Sequence, residues 1–278
     1  MQPVGMGALP RVKSPKDRHL GTVQAPVTIP VVYKPDYSSL PVKMQGNFGT
    51  CGGHAGSAMV SFLNMQDLSP KFLWKDIKLI DGIPLDGGTS MNYIASSLMN
   101  IGDCHEDLMP NTLPPTIEEY SDPSVITSTL RQDAYTYGTE NWAYIDNPSW
   151  EQIKQAIYQN KVVIALVKCG DGWYTNSAGQ DSWAATDVLP IRLGTAIDGH
   201  FILLWGYDEN YIYFRNSWSN QWGDNGDGYF DQSYVQYVEE IGTAIPTESL
   251  IGKQIIQKYS QVVALLKQIL TNILSKIK

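Results

Sequence analysis

The sequence predicts an α+β fold in two lobes, a helical lobe and then a β-rich, barrel-like one, with an amphipathic helix appended at the C-terminal end. Three observations predict it. Apolar residues recur at helical spacing between about Thr50 and Asn100. Short apolar runs bounded by turn residues replace them from Val162 onward, and a separate heptad pattern begins after Pro246. With 278 residues and 43% hydrophobic content, the chain can bury a full core.

Residues 1–36 are rich in Pro, Val and Lys and lack a helical period, so they read as an extended arm that is packed on the domain or partly mobile. The main domain is expected over residues 37–245. Its first helix starts at Cys51, where Ala55, Met59, Phe62 and Leu63 fall on one face. Leu68–Trp74 and the run Asp86-Gly87-Gly88-Thr89-Ser90 continue this lobe, and a second apolar-periodic helix runs from Met91 to about Asn100. Asn111–Asn147 is polar and turn-rich, which predicts a crossover between lobes with no clean period. Ser149–Gln159 reads as an amphipathic helix carrying Trp150, Ile153 and Ile157. Val162–Val167 reads as a buried strand, and Gly199–Tyr207 and Tyr211–Asn216 as two more, joined by a turn at Asp208-Glu209-Asn210.

Residues 246–278 have a different pattern. Ile256, Val263, Leu270 and Ile277 recur every seven residues, as do Tyr259, Leu266 and Ile273, and Ile255, Val262 and Ile269. Three apolar positions per heptad make a stripe wider than a two-stranded seam, so self-association or docking through residues 250–278 is expected. Folding back on the domain and membrane-surface contact, favoured by Lys253, Lys258, Lys267, Lys276 and Lys278, are the alternatives.

The formal net charge is −8 and the basic residues are not gathered into a patch on the catalytic segment, which argues against a nucleic-acid partner. The first residues carry no basic leader followed by a long apolar run, so no signal peptide is expected and a cytoplasmic location is the default, with virion or surface association as the alternative. Cys51, Cys104 and Cys169 do not form a disulfide framework, which fits a reducing compartment with Cys104 and Cys169 as buried small hydrophobes. No Cys/His pairs have zinc spacing and no phosphate loop is present. Asp224–Gly228 lacks the ligand spacing of an EF-hand and reads as a tight turn, so no metal or cofactor is expected.

The chemistry concentrates in three short motifs. Gln45-Gly46-Asn47-Phe48-Gly49-Thr50-Cys51 puts a thiol at a helix start, Asp198-Gly199-His200 supplies an imidazole, and Asn216-Ser217-Trp218 follows sixteen residues later. Nucleophilic catalysis by cysteine needs a thiolate, a base, a group that holds the base in one tautomer, and a donor for the oxyanion. Cys51, His200, Asn216 and Gln45 can fill these four roles. A helix N-terminus should lower the thiol pKa. In order and spacing these motifs resemble the papain family of cysteine peptidases, and the stretch from Leu68 to Gly102 resembles its prokaryotic and viral branch more than its plant and lysosomal branch.

The resemblance implies a two-lobed papain-like fold and a thiol endopeptidase that acts on peptides or proteins through a thioester acyl-enzyme. It implies that Gly87, Gly88 and Thr89 bind substrate as an added strand, with Asp198 and Trp218 as further substrate-site candidates. Trp218 is also expected to shield the His200–Asn216 hydrogen bond, and either glycine could instead serve a turn. Secreted relatives carry a bridging cysteine where this chain has Phe48. The arm is too short for the family's helical prosegment, so activity should be limited by a partner, by substrate access or by assembly. Gly52-Gly53-His54 follows the nucleophile in place of bulky residues, which calls for close packing against the first helical turn, and His54 reads as structural. Two other functions use the same residues: a structural or assembly protein that keeps the peptidase fold, and an acyl transferase that delivers the acyl group to an amine.

Overall fold

The computed structural model describes residues 6–174 and 189–245. The predicted helix over 247–278 lies outside the described residues.

The helical lobe is built from α2 (Cys51–Asn64), α3 (Pro70–Ile80) and α4 (Met91–Asn100), preceded by the short α1 (Leu20–Val23) in the arm. Ser69 caps α3 by accepting a hydrogen bond from the Phe72 N–H, with Pro70 at the first helical position where its missing N–H costs nothing. Met59, Val60, Phe62, Leu73, Ile77, Ile94 and Leu98 from the three helices share one buried cluster. The glycines after Cys51 let the helices approach closely. A Cβ on Gly53 would lie 2.9 Å from Trp74 Cβ of α3, and one on Gly52 would lie 2.4 Å from Thr89 Cγ2.

The second lobe is a six-stranded antiparallel sheet. Its strands are β3 (Trp142–Asp146), β4 (Val163–Gly170), β5 (Ala196–Tyr207), β6 (Ile212–Arg215), β7 (Asp227–Phe230) and β8 (Val238–Ala244), ordered β3-β8-β4-β5-β6-β7. Both faces of β4 are covered, which is why it reads as an unbroken apolar run. Ile164 and Leu166 join the helical lobe's core, while Val163, Ala165 and Val167 join a second core beneath α7 (Trp150–Asn160). A full capping box between Ser149 and Gln152 starts α7.

Residues 111–147, read as a crossover with no clean period, hold the short helices α5 (Ile117–Ser121) and α6 (Ser128–Ala134) and the strand β3. The two helices are too short to show a period, though their Thr116 and Thr127 caps are readable. The expected barrel-like lobe is carried by this sheet, with β3 and β7 at the ends of its strand order among the described residues. The arm also contains more than extended chain. Besides α1 it forms bridges from His19 to Tyr144 and from Tyr33 to Tyr207. Near its start it forms β1 (Ala8–Leu9), which pairs in parallel with β2 (Thr89–Ser90).

Candidate active site

Cys51 is the first residue of α2 and is fully buried. Its sulfur receives backbone N–H groups from Phe201, Gly7 and Gly52, which places it beside β5 immediately after His200. Burial pushes the thiol pKa up to about 11, outweighing those three N–H donors, and Asp198 adds a smaller repulsion. The helix start does not lower it here, because the charged form is disfavoured more by loss of water than it is favoured by donors.

His200 and Asn216 are both buried, with Nε2 of the imidazole 2.9 Å from Asn216 Oδ1. That carboxamide oxygen also accepts the Ser217 N–H at 2.8 Å, which fixes the amide orientation. An oxygen can only accept, so in neutral His200 the proton sits on Nε2 and the lone pair on Nδ1. Nδ1 is buried without a hydrogen-bond partner. Burial lowers the imidazole pKa to about 4, the Asn216 bond offsetting only part of the cost. Cys51 therefore rests as a neutral thiol, and His200 as a neutral imidazole held in the tautomer of a proton acceptor.

Gln45 is buried, and Ser217 Oγ donates to its Oε1 at 2.5 Å, leaving the NH2 end to donate to Phe48 O at 2.9 Å. Gln45 N also bonds Ser217 O at 2.9 Å, joining the segment before the nucleophile to the Asn216 motif. The structure thus brings Cys51, His200, Asn216 and Gln45 together across the contact between α2 and β5. Ser217 was not singled out from the sequence. Its position beside Asn216 was the one available signal.

The substrate-site candidates separate. Gly88 has φ +76° and a Cβ there would meet Gly7 O at 2.1 Å, whereas Gly87 donates to Pro84 O at 2.9 Å and makes the turn. Thr89 offers its backbone N–H to Gly7 O at 2.8 Å and packs its methyl against Gly52. Asp198 is exposed, its carboxylate accepting the Gly199 N–H at 2.7 Å. Trp218 does not line the cleft: it is buried 5.1 Å from the His200 ring, with Trp173 5.7 Å from that ring, because the imidazole needs an apolar backing. His54 is buried with Nδ1 3.0 Å from Thr50 O, a structural position.

The cleft is occupied by the chain's own arm. Residues 6–9 run between Gly49 and Gly88 on the helical lobe and Gly199 on the sheet. Gly7 packs so closely that a Cβ on it would lie 1.9 Å from Gly49 O, and a Cβ on Gly199 would lie 2.4 Å from Ala8 O. Residues 6–9, read from the sequence only as part of an extended arm, thus cover Cys51 in this structure.

Among the described residues, no cluster of three or more His, Cys, Asp or Glu side chains could hold a metal, and no helix is long and apolar enough to cross a membrane. All three cysteines are free.

Known proteins with this architecture include xylellain, a cysteine protease from Xylella fastidiosa. It superposes with a TM-score of 0.69 at 18% identity, over 88% of this chain and 97% of that one. The Carica candamarcensis cysteine protease CMS1MS2 superposes at 0.57 and 17% identity over 79% of this chain and all of that one. In sequence, Peptidase 1 of the mites Euroglyphus maynei and Dermatophagoides farinae is 27% and 26% identical, over 68% of this chain in each case. The chain spans little more than half the length of these curated relatives, 56%. The pattern described as papain family cysteine protease matches residues 96–244, which include His200 and Asn216, and the chain belongs to that family.

Proposed function

We propose that this chain hydrolyses peptide bonds in peptide or protein substrates through a thioester on Cys51. One observation carries the reading: Asn216 holds His200 as the Nε2–H tautomer and leaves its Nδ1 lone pair buried and unpartnered, and the next residue, Phe201, donates its N–H to the Cys51 sulfur. Once the arm has left and water enters, the burial penalty on both groups falls. The Cys51 proton can then pass to Nδ1. The thiolate attacks the scissile carbonyl, forming the C–S bond, and the oxyanion takes hydrogen bonds from the Gln45 carboxamide and the Cys51 backbone N–H. His200 gives its proton to the departing amine as the C–N bond breaks. A water then attacks the thioester with His200 as base, and the sulfur leaves as the thiol.

Profiling on a peptide library, with Cys51→Ala as control, tests this. Cleavage that disappears in Cys51→Ala supports it, and cleavage that survives the substitution rules it out. Transfer to an amine uses the same residues, and formation of an amide product on adding a primary amine would favour that reading. For residues 250–278 the heptad pattern supports self-association or docking, with membrane-surface contact second. The free cysteines support residence in a reducing compartment such as the cytoplasm.

A further inference from the structure

Arg11 lies four residues beyond Gly7 and is buried although it belongs to the arm. Its Nε is 3.1 Å from Glu240 Oε2 and a terminal nitrogen is 2.8 Å from Asp146 Oδ1. The other terminal nitrogen bonds Asp17, and the guanidinium sits 4.1 Å over the Tyr144 ring. Asp146 and Glu240 are direct cross-strand partners on β3 and β8. Two carboxylates facing each other across a sheet repel, so this place in the second lobe requires a cation between them. Glu240 is almost fully enclosed, and its Oε1 has no hydrogen-bond partner. Lys13 reaches Asp146 Oδ2 at 2.8 Å but is largely exposed, so it can screen only one rim of the pair. A planar fork that bonds both carboxylates while stacking on an aromatic face is what a guanidinium supplies and an ammonium does not.

We propose that Asp146, Glu240 and Tyr144 form a guanidinium-binding pocket beside the cleft, that Arg11 is its resident ligand, and that this contact keeps Gly7 seated on Cys51. The linkage is short. Four extended residues span roughly 13 Å, and Pro10 stiffens the step before Arg11, so docking of the guanidinium restricts where Gly7 can lie. Ligands that compete should be peptides carrying arginine at the same distance from a glycine. The inference deepens the peptidase reading, but its measured quantity, access to the Cys51 thiol, needs no hydrolysis.

The test is the rate of Cys51 alkylation by iodoacetamide at pH 8, assigned by mass spectrometry on the full chain. Gly7→Ala, which drives a methyl into Gly49 O, and Arg11→Gln should each raise the rate tenfold or more, with Arg11→Lys in between. A synthetic peptide of residues 6–13 should slow alkylation of the Arg11→Gln protein, and the same peptide carrying R11Q should not. If Arg11→Gln fails to fold by near-ultraviolet circular dichroism, Arg11→Lys and the peptide pair on Gly7→Ala decide. Equal rates in wild type and the Arg11 variants, or equal protection by both peptides, would overturn the pocket. Faster alkylation without peptide hydrolysis keeps the latch and removes the peptidase reading. Hydrolysis by Cys51 at a rate indifferent to Arg11 does the reverse.

Discussion

Burial and hydrogen bonding act against each other on the Cys51 thiol, and burial wins as long as Gly7 covers it. The same competition lowers both buried imidazoles, His54 and His200, to about 4 from an ordinary value of 6.5, with burial the largest cause in each. The unfolded chain takes up these protons from about pH 6.5 downward and the folded chain only near 4. Their stabilisation is therefore complete above about 6.5 and is lost as pH falls toward 4, by roughly 3 kcal/mol for each imidazole. Melting temperature measured from pH 7 to pH 4 should fall, and a flat profile would contradict the burial of both rings. Asn216→Ala should leave the far-ultraviolet spectrum unchanged and lower kcat by about tenfold to a hundredfold, because it frees the imidazole to adopt the wrong tautomer. An unchanged kcat in the folded variant would remove Asn216 from the mechanism. At this scale the proposed roles were legible because catalysis by a thiol demands particular residue types. The thiol pKa was not, because burial by a segment more than forty positions away is invisible in a local motif.

Elements with a strong repeat were readable and those defined by their neighbours were not. The helices starting at Cys51, Met91 and Trp150 carry apolar faces that declare themselves. The strands β3, β7 and β8 do not, since what makes Trp142–Asp146 a strand is its register with Val238–Ala244. The glycines at the start of α2 looked unfavourable for a helix and proved to be where its neighbours press closest. Gly53→Val should therefore destabilise the fold by about 1 to 3 kcal/mol through overpacking against Trp74 and Pro70, despite the gain in helix propensity. A lowered urea midpoint with unchanged slope checks this, and a raised midpoint would show that α3 can yield.

For the whole molecule, the free state of all three cysteines predicts thermal melts that coincide with and without reductant. A large drop on reduction would reveal a bridge. Residues 247–278 are proposed as an association segment, since a recurring apolar stripe left in water costs about 1.5 to 3 kcal/mol for each large side chain that could be buried. Removing everything after Pro246 should lower the mass seen by light scattering while Cys51 remains as reactive as before. Loss of folding with no change in association would place the segment in the domain core.

The sequence alone pointed to the two-lobed fold class and to the four residues proposed for catalysis, because thiol chemistry and helical periodicity leave local marks. Only the tertiary structure decided that the arm enters the cleft, that Arg11 is enclosed by Asp146 and Glu240, and that Cys51 and His200 rest uncharged. Those outcomes depend on which distant groups exclude water from a given atom. Desolvation belongs to the packed three-dimensional neighbourhood, which no short run of residues specifies.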